Sequence, residues 1–189
     1  MEVGKTRREL VRESKIRDDL ERQYLNQGEV TVDMPGLGKQ TARYTIINPP
    51  ETAINPQEEP KPPVYFIPGI SNDLDCVKST LQELAYSGRK VVGVAFPESF
   101  MGTITPEFAQ AVQTSPDLEP HVEFFKRAEA QLIGENTDVE LWGHSTGAAI
   151  IEQVLNDPKF QEKTTKAVLL CPSSSVDISQ AGLSLGMVK

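Results

Sequence analysis

Cysteine, histidine and positive charge are all scarce in this sequence, and each scarcity excludes something. The two cysteines, Cys76 and Cys171, lie far apart and in no metal-ligating or redox spacing. They read as buried free thiols, since an unpaired cysteine behaves as a small hydrophobe. A chain with no paired cysteines suits a reducing compartment. No apolar run approaches the length of a membrane span. The N-terminus is charged throughout and lacks the apolar core of a secretory signal. A cytoplasmic protein with no membrane span is therefore expected. Lys and Arg number 19 against 27 Asp and Glu, for a net charge of −8. Phosphate binding wants clustered basic residues, so nucleic acid is not an expected partner. The 189 residues suffice for one well-buried domain.

What is present changes character along the chain. Residues 1–26 are dense in charges of both signs. Thr6 with Glu9 forms a capping-box pattern, Ile16, Leu20 and Tyr24 make a narrow apolar stripe, and Gly28 is a candidate stop. This predicts a charged helix, either docked by one thin face or serving as an arm for a protein partner. "EVTVDMPGLGKQTARYTIIN" follows, with Val30, Val32, Tyr44 and Ile46 alternating with polar residues around "PGLG". That pattern predicts a β-hairpin. "GLGKQT" looks like the end of a phosphate-binding loop but fails the pattern. Gln40 stands where Ser or Thr would ligate magnesium, and Asp33 stands where a glycine is needed. Residues 49–63, rich in Pro and Glu, predict a linker or long surface loop.

Beyond residue 63 the apolar residues change period. "VYFIPG", "KVVGVAFP", "DVELWG" and "KAVLLCP" are short and almost wholly apolar. Between them, residues 73–87, 117–133 and 146–156 place apolar residues at helical spacing, with Gly88, Gly134 and Pro158 as stops. The loop around residues 98–116 gives no clear signal. Strands alternating with helices, and apolar throughout, predict an α/β fold with a mostly parallel sheet buried on both faces.

The third of these strands runs into Gly143-His144-Ser145-Thr146-Gly147. The spacing G-x-S-x-G has a physical purpose between a strand and a helix. The chain must reverse sharply at the serine, and glycines two before and two after remove side chains that would collide. The hydroxyl then stands clear at the carboxyl edge of the sheet, beside the positive end of a helix. The alternative is an ordinary buried strand-to-helix turn with a capping serine.

On these residues the chain resembles the α/β-hydrolase superfamily, serine esterase and lipase type, over about residues 28–175. The resemblance implies an α/β-hydrolase-like domain over residues 27–189, incomplete at its C-terminal end and preceded by the charged helix and the hairpin. It implies that Ser145 is the nucleophile attacking an acyl carbonyl of a small-molecule substrate. Thr146 would supply one backbone N–H of an oxyanion hole. Ile70, in "PGISND", would supply the other, although many relatives carry His-Gly where this chain has Pro68-Gly69. No cofactor or metal is implied.

The same resemblance exposes what is lacking. The family order is serine, then an acid, then a histidine after the last strand. Here the only histidines are His121 and His144. His144 adjoins the serine at a sharp turn, where neighbours point apart, and reads as structural. His121 reads as a surface or helix-face residue. Asp177 is a candidate acid. A serine without a base is a weak nucleophile, so the base and acid would come from downstream sequence or a second chain. The alternative is a non-catalytic protein of this fold used for binding or assembly, through the N-terminal helix or an exposed sheet edge. A peptidase or carbon–carbon hydrolase is a third reading. Serine at the elbow argues against a dehalogenase, which needs aspartate there.

Overall fold

The structure is a computed structural model that describes residues 24–70, 74–99, 102–115 and 117–171. Strands β1 (Leu25–Met34) and β2 (Gly38–Ile47) form a long antiparallel hairpin. Strands β3 (Val64–Ile67), β4 (Val91–Val94), β5 (Val139–His144) and β6 (Thr164–Leu170) pair in parallel. Together they make one six-stranded sheet in the order β1-β2-β4-β3-β5-β6, joined where β2 meets β4 antiparallel. The expected α/β class and mostly parallel sheet are observed.

Both faces of this sheet are covered, which is why the parallel strands are apolar throughout. Helix α1 (Leu74–Tyr86) lies on one face, where Leu81 and Ala85 pack with Ile47, Val64, Phe66 and Val91. Helices α2 (Pro106–Thr114), α3 (Glu119–Leu132) and α4 (Thr146–Val154) lie on the other, around Tyr65, Ile67, Val92, Val94 and Leu141. A short helix α5 (Pro158–Lys163) leads into β6. Among the described residues no helix is long and apolar enough to cross a membrane.

Several expectations are corrected. The N-terminal helix expected over 1–26 lies outside the described residues as far as residue 23, and β1 already begins at Leu25, paired with Ile47. Gly28 is not a helix stop but a strand residue opposite Tyr44. A Cβ there would come within 2.7 Å of the Tyr44 hydroxyl, so the missing side chain makes room for the ring. The unreadable stretch after β4 contains α2, started by Thr105, whose hydroxyl accepts from the Phe108 N–H at 3.2 Å, with Pro106 in the first turn. Pro158 ends one helix and starts another, with Asp157 accepting from the Lys159 N–H at 3.0 Å. The cysteines are exposed rather than buried: Cys76 sits two residues past inward-facing Leu74 on α1, and Cys171 lies just beyond β6.

The residues that spoiled the phosphate-loop pattern have structural work instead. Buried Gln40 donates to the Leu37 carbonyl at 2.6 Å and accepts from the Thr105 N–H at 3.0 Å. It thereby ties the hairpin turn to the start of α2. The Pro/Glu-rich stretch is a largely exposed surface loop with one 3-10 turn at Glu51–Ala53. Lys61 anchors it by donating to the Ser87 carbonyl at 2.9 Å.

Candidate active site

The chain reverses direction at one residue. β5 ends on His144, α4 starts on Thr146, and Ser145 between them has φ 54° and ψ −120°. A positive φ strains any residue with a Cβ, so the surroundings must hold it in place. They do so through the backbone. The Ser145 N–H donates to the Leu170 carbonyl of β6 at 2.9 Å. Its carbonyl accepts from the N–H groups of Ala148 at 3.0 Å and Ala149 at 3.3 Å. The side chain makes no capping hydrogen bond to the helix, so the capping-serine alternative does not hold.

The two flanking glycines are sterically required. A Cβ on Gly143 would lie 2.6 Å from the Gly147 carbonyl oxygen and 2.7 Å from the Ala148 Cα. A Cβ on Gly147 would lie 2.1 Å from the Ile67 carbonyl oxygen and 2.5 Å from that of Pro68. Each overlap is with backbone, which cannot swing aside as a side chain would. Gly147 therefore lets the first turn of α4 touch the end of β3 directly.

That contact brings the loop after β3 to the serine. Ile67 pairs with Gly143 across the β3–β5 ladder, and the chain then leaves through Pro68, Gly69 and Ile70. Ile70 is exposed, and its backbone lies three residues past the carboxyl end of β3. Thr146, as the first helical residue, has an N–H with no acceptor inside its own helix. The positive end of the α4 dipole faces the same edge. Half-buried His144 ends β5 opposite Leu170. Asp177 lies outside the described residues. Among the described residues no group of three or more His, Cys, Asp or Glu side chains is placed to hold a metal ion.

His121 is not a surface histidine. It lies in the first turn of α3, almost fully buried, with Nε2 at 2.5 Å from Glu98 Oε1. The Phe96 and Phe108 rings meet it edge-on, with centroids 5.2 and 5.6 Å away. Glu98 follows β4, so the pair also stands at the carboxyl edge. His121 Nδ1 and Glu98 Oε2 are both buried and have no hydrogen-bond partner. A signal for the burial existed in the sequence: His121 shares a helical face with Phe125 and Ala128, four and seven residues on. Nothing local marked Glu98 as its partner.

A second polar cluster lies at the opposite, amino edge. Lys163 donates to Glu129 Oε2 at 2.6 Å and to the Glu135 carbonyl at 3.3 Å, with its ammonium 4.3 Å from the centre of the Phe160 ring. Burial pushes the Glu129 carboxyl above its ordinary value, and the Lys163 hydrogen bond and charge only partly offset this. Burial, reinforced by the Glu129 charge, also raises the Tyr65 phenol, whose hydroxyl donates to the Phe125 carbonyl at 3.0 Å. Nearby, Asp157 is held below the usual carboxylate range, first by its hydrogen bond from Lys126.

The architecture has many solved counterparts. A membrane phospholipase A described as a bacterial virulence factor matches at TM-score 0.56 and 18% identity, covering 87% of this chain and 46% of that one. A putative lipase from Acinetobacter baumannii AYE matches at TM-score 0.55 and 16% identity, covering 84% of this chain and 46% of that one. The thioesterase domain from the curacin biosynthetic pathway matches at TM-score 0.54 and 18% identity, covering 78% of this chain and 47% of that one. This chain thus spans about half the length of these proteins. No known family sequence model and no curated protein sequence matches it.

Proposed function

The chain has the α/β-hydrolase fold, and from that premise we propose that it is the nucleophile-bearing part of a serine hydrolase acting on a carboxylic ester or related acyl compound. The observation that carries this reading is the backbone at Ser145. A strained apex flanked by two sterically required glycines, with its hydroxyl not spent on capping, suits a nucleophile better than a turn.

In the proposed reaction Ser145 Oγ attacks the acyl carbonyl and gives up its proton to a base. The carbonyl oxygen becomes an oxyanion, which accepts hydrogen bonds from the N–H groups of Thr146 and Ile70. Collapse of this intermediate breaks the bond to the leaving group, which takes the proton back from the base. Water then hydrolyses the acyl-serine by the same steps in reverse. Donors already aimed at the oxyanion need no reorganisation, and losing one costs on the order of 10²- to 10³-fold in rate. The base is assigned to a histidine beyond these 189 residues or on a partner, because His121 is committed to Glu98 and His144 is the serine's own neighbour. Asp177 remains the candidate acid within this sequence.

A fluorophosphonate probe tests the reading. Covalent labelling of the chain, alone or extended at its C-terminus, is expected and should vanish in Ser145→Ala. Absence of labelling in both forms of the folded protein would leave a binding or assembly role as the better reading.

A further inference from the structure

The Glu98–His121 pair is poorly made if its purpose is stability. A buried charged or polar pair is worth having only when its remaining donors and acceptors are also satisfied, and an apolar pair of similar volume often does as well or better. Here one hydrogen bond is made, while His121 Nδ1, on a buried ring met by Phe96 and Phe108, and Glu98 Oε2, the covered oxygen of a partly exposed side chain, stay unpartnered. Arrangements that sacrifice local stability are characteristic of functional sites.

Its place in the sheet says which site. Phe66 pairs with Gly93 across β3–β4 and Ile67 with Gly143 across β3–β5, so Val94, Ile67 and Gly143 lie level. The carboxyl ends of β4 and β5 are thus close to level, two strand positions or about 10 Å apart, with Phe96 and Ser145 just beyond them. The turn after β4 therefore leaves the sheet beside Pro68–Ile70, where the chain leaves the neighbouring strand β3. Its described residues lie close together: Ser99 N–H donates to the Phe96 carbonyl at 3.0 Å, and a Cβ on Gly102 would fall 1.9 Å from the Pro97 carbonyl oxygen. Glu98 is the residue of this turn that reaches α3, and His121 is what it reaches.

We propose that Glu98 and His121 are positioning residues for the Ser145 site: the pair pins the turn after β4 and thereby sets the path of the adjoining loop that carries Ile70. The inference rests on the serine reading for its catalytic consequence, but its structural half can be judged without it. Replacing the pair together, Glu98→Leu with His121→Phe, removes both open atoms and exchanges one ring for another, with the Leu side chain at the partly exposed position. The double variant should melt at or above the wild-type temperature and yet react with a fluorophosphonate about tenfold more slowly at Ser145, as expected when a catalytic donor is displaced by a fraction of an ångström. The backbone amide resonances of Ile67, Gly69 and Ile70 should shift. A merely structural pair predicts a lower melting temperature, labelling at the wild-type rate in the folded fraction, and unmoved amides in that loop, and this result would overturn the proposal. If the double variant does not fold, Glu98→Gln, which keeps the shape and one acceptor, should show the slower labelling and the amide shifts in smaller degree, and wild-type behaviour in it is equally fatal. If wild-type protein takes no label, the serine reading fails. The amide shifts then decide the pair's role, sustaining it if they move and ending it if they do not.

Discussion

At the carboxyl edge of the parallel strands, Ser145 holds a positive φ and the Glu98–His121 pair leaves two buried atoms unpartnered. At the amino edge, Lys163 divides its ammonium between Glu129 and the Glu135 carbonyl over the Phe160 ring, and among the described residues there Glu129 Oε1 is the one buried side-chain atom that lacks a partner. One edge keeps backbone and polar groups in states the fold alone would not choose. The other fastens α3 to the segment that starts β6. Stability is thus spent where the chain reverses at the serine and recovered where the helices are anchored. That division is open to test because the two edges should respond differently to the same kinds of change.

The largest effect belongs to the elbow. Gly147→Ala places a methyl group 2.1 Å from the Ile67 carbonyl oxygen, and neither backbone can yield without disturbing β3. A loss of about 4 kcal/mol or more in urea unfolding is expected, at the high end for a single substitution. Gly36→Ala is the control. Gly36 has φ 76° but nothing within 4 Å of the added methyl, so only the conformational penalty of about 1 kcal/mol should appear. Equal losses at the two positions would mean that the elbow glycines are turn formers and not spacers.

Next in size is the amino-edge clasp. Lys163→Met should cost about 3 kcal/mol at neutral pH, because it strands a buried carboxylate. Pairing it with Glu129→Leu should recover most of that loss, since two apolar side chains remove the stranded charge. Failure of the double variant to recover would mean that the clasp contributes through geometry the apolar pair cannot reproduce. The amino edge would then rely on specific bonds and not merely on neutralised charge.

How much of this was legible in the sequence differs between the same two regions. The elbow was readable because its physics is local: strand, reversal and helix all lie within residues 139–154, and the glycines that permit the crossing stand two positions either side of the serine. The four parallel strands were readable for the same reason, each being a short apolar run between helix-period segments. The polar pairs were not readable, because their partners come from distant parts of the chain. Glu98 and His121 are 23 residues apart, and Glu129 and Lys163 are 34 apart. No local pattern records which acid will face which base once the helices dock. Gly28 misled for a related reason: a glycine after a charged amphipathic stretch reads as a stop, and only the cross-strand ring of Tyr44 explains it. The nine-residue helix α2 was hidden because Phe108 is its one buried residue, which leaves no repeated apolar face to show a period.

The smallest effects expected are two pH dependences of opposite sign at the amino edge. Glu129 has its folded pKa raised above the ordinary 4.5, chiefly by burial. The folded state therefore binds its proton more tightly than the unfolded chain does. Its contribution to stability is complete below that ordinary value and is lost as pH rises through the folded one. Asp157 has its folded pKa lowered below the ordinary 3.8, chiefly by the Lys126 hydrogen bond. Its contribution is present above that value and is lost as pH falls through the folded one. Because Asp157 is about a quarter exposed, solvent screens it and its slope should be the shallower. In melting curves taken across acid to neutral pH, Glu129→Gln should flatten a decline in stability above about pH 4.5, whereas Asp157→Asn should flatten a loss confined to the acid end. A Glu129→Gln profile parallel to wild type above pH 4.5 would show that Lys163 fully compensates the buried carboxylate. The amino edge would then be the better-satisfied of the two without exception.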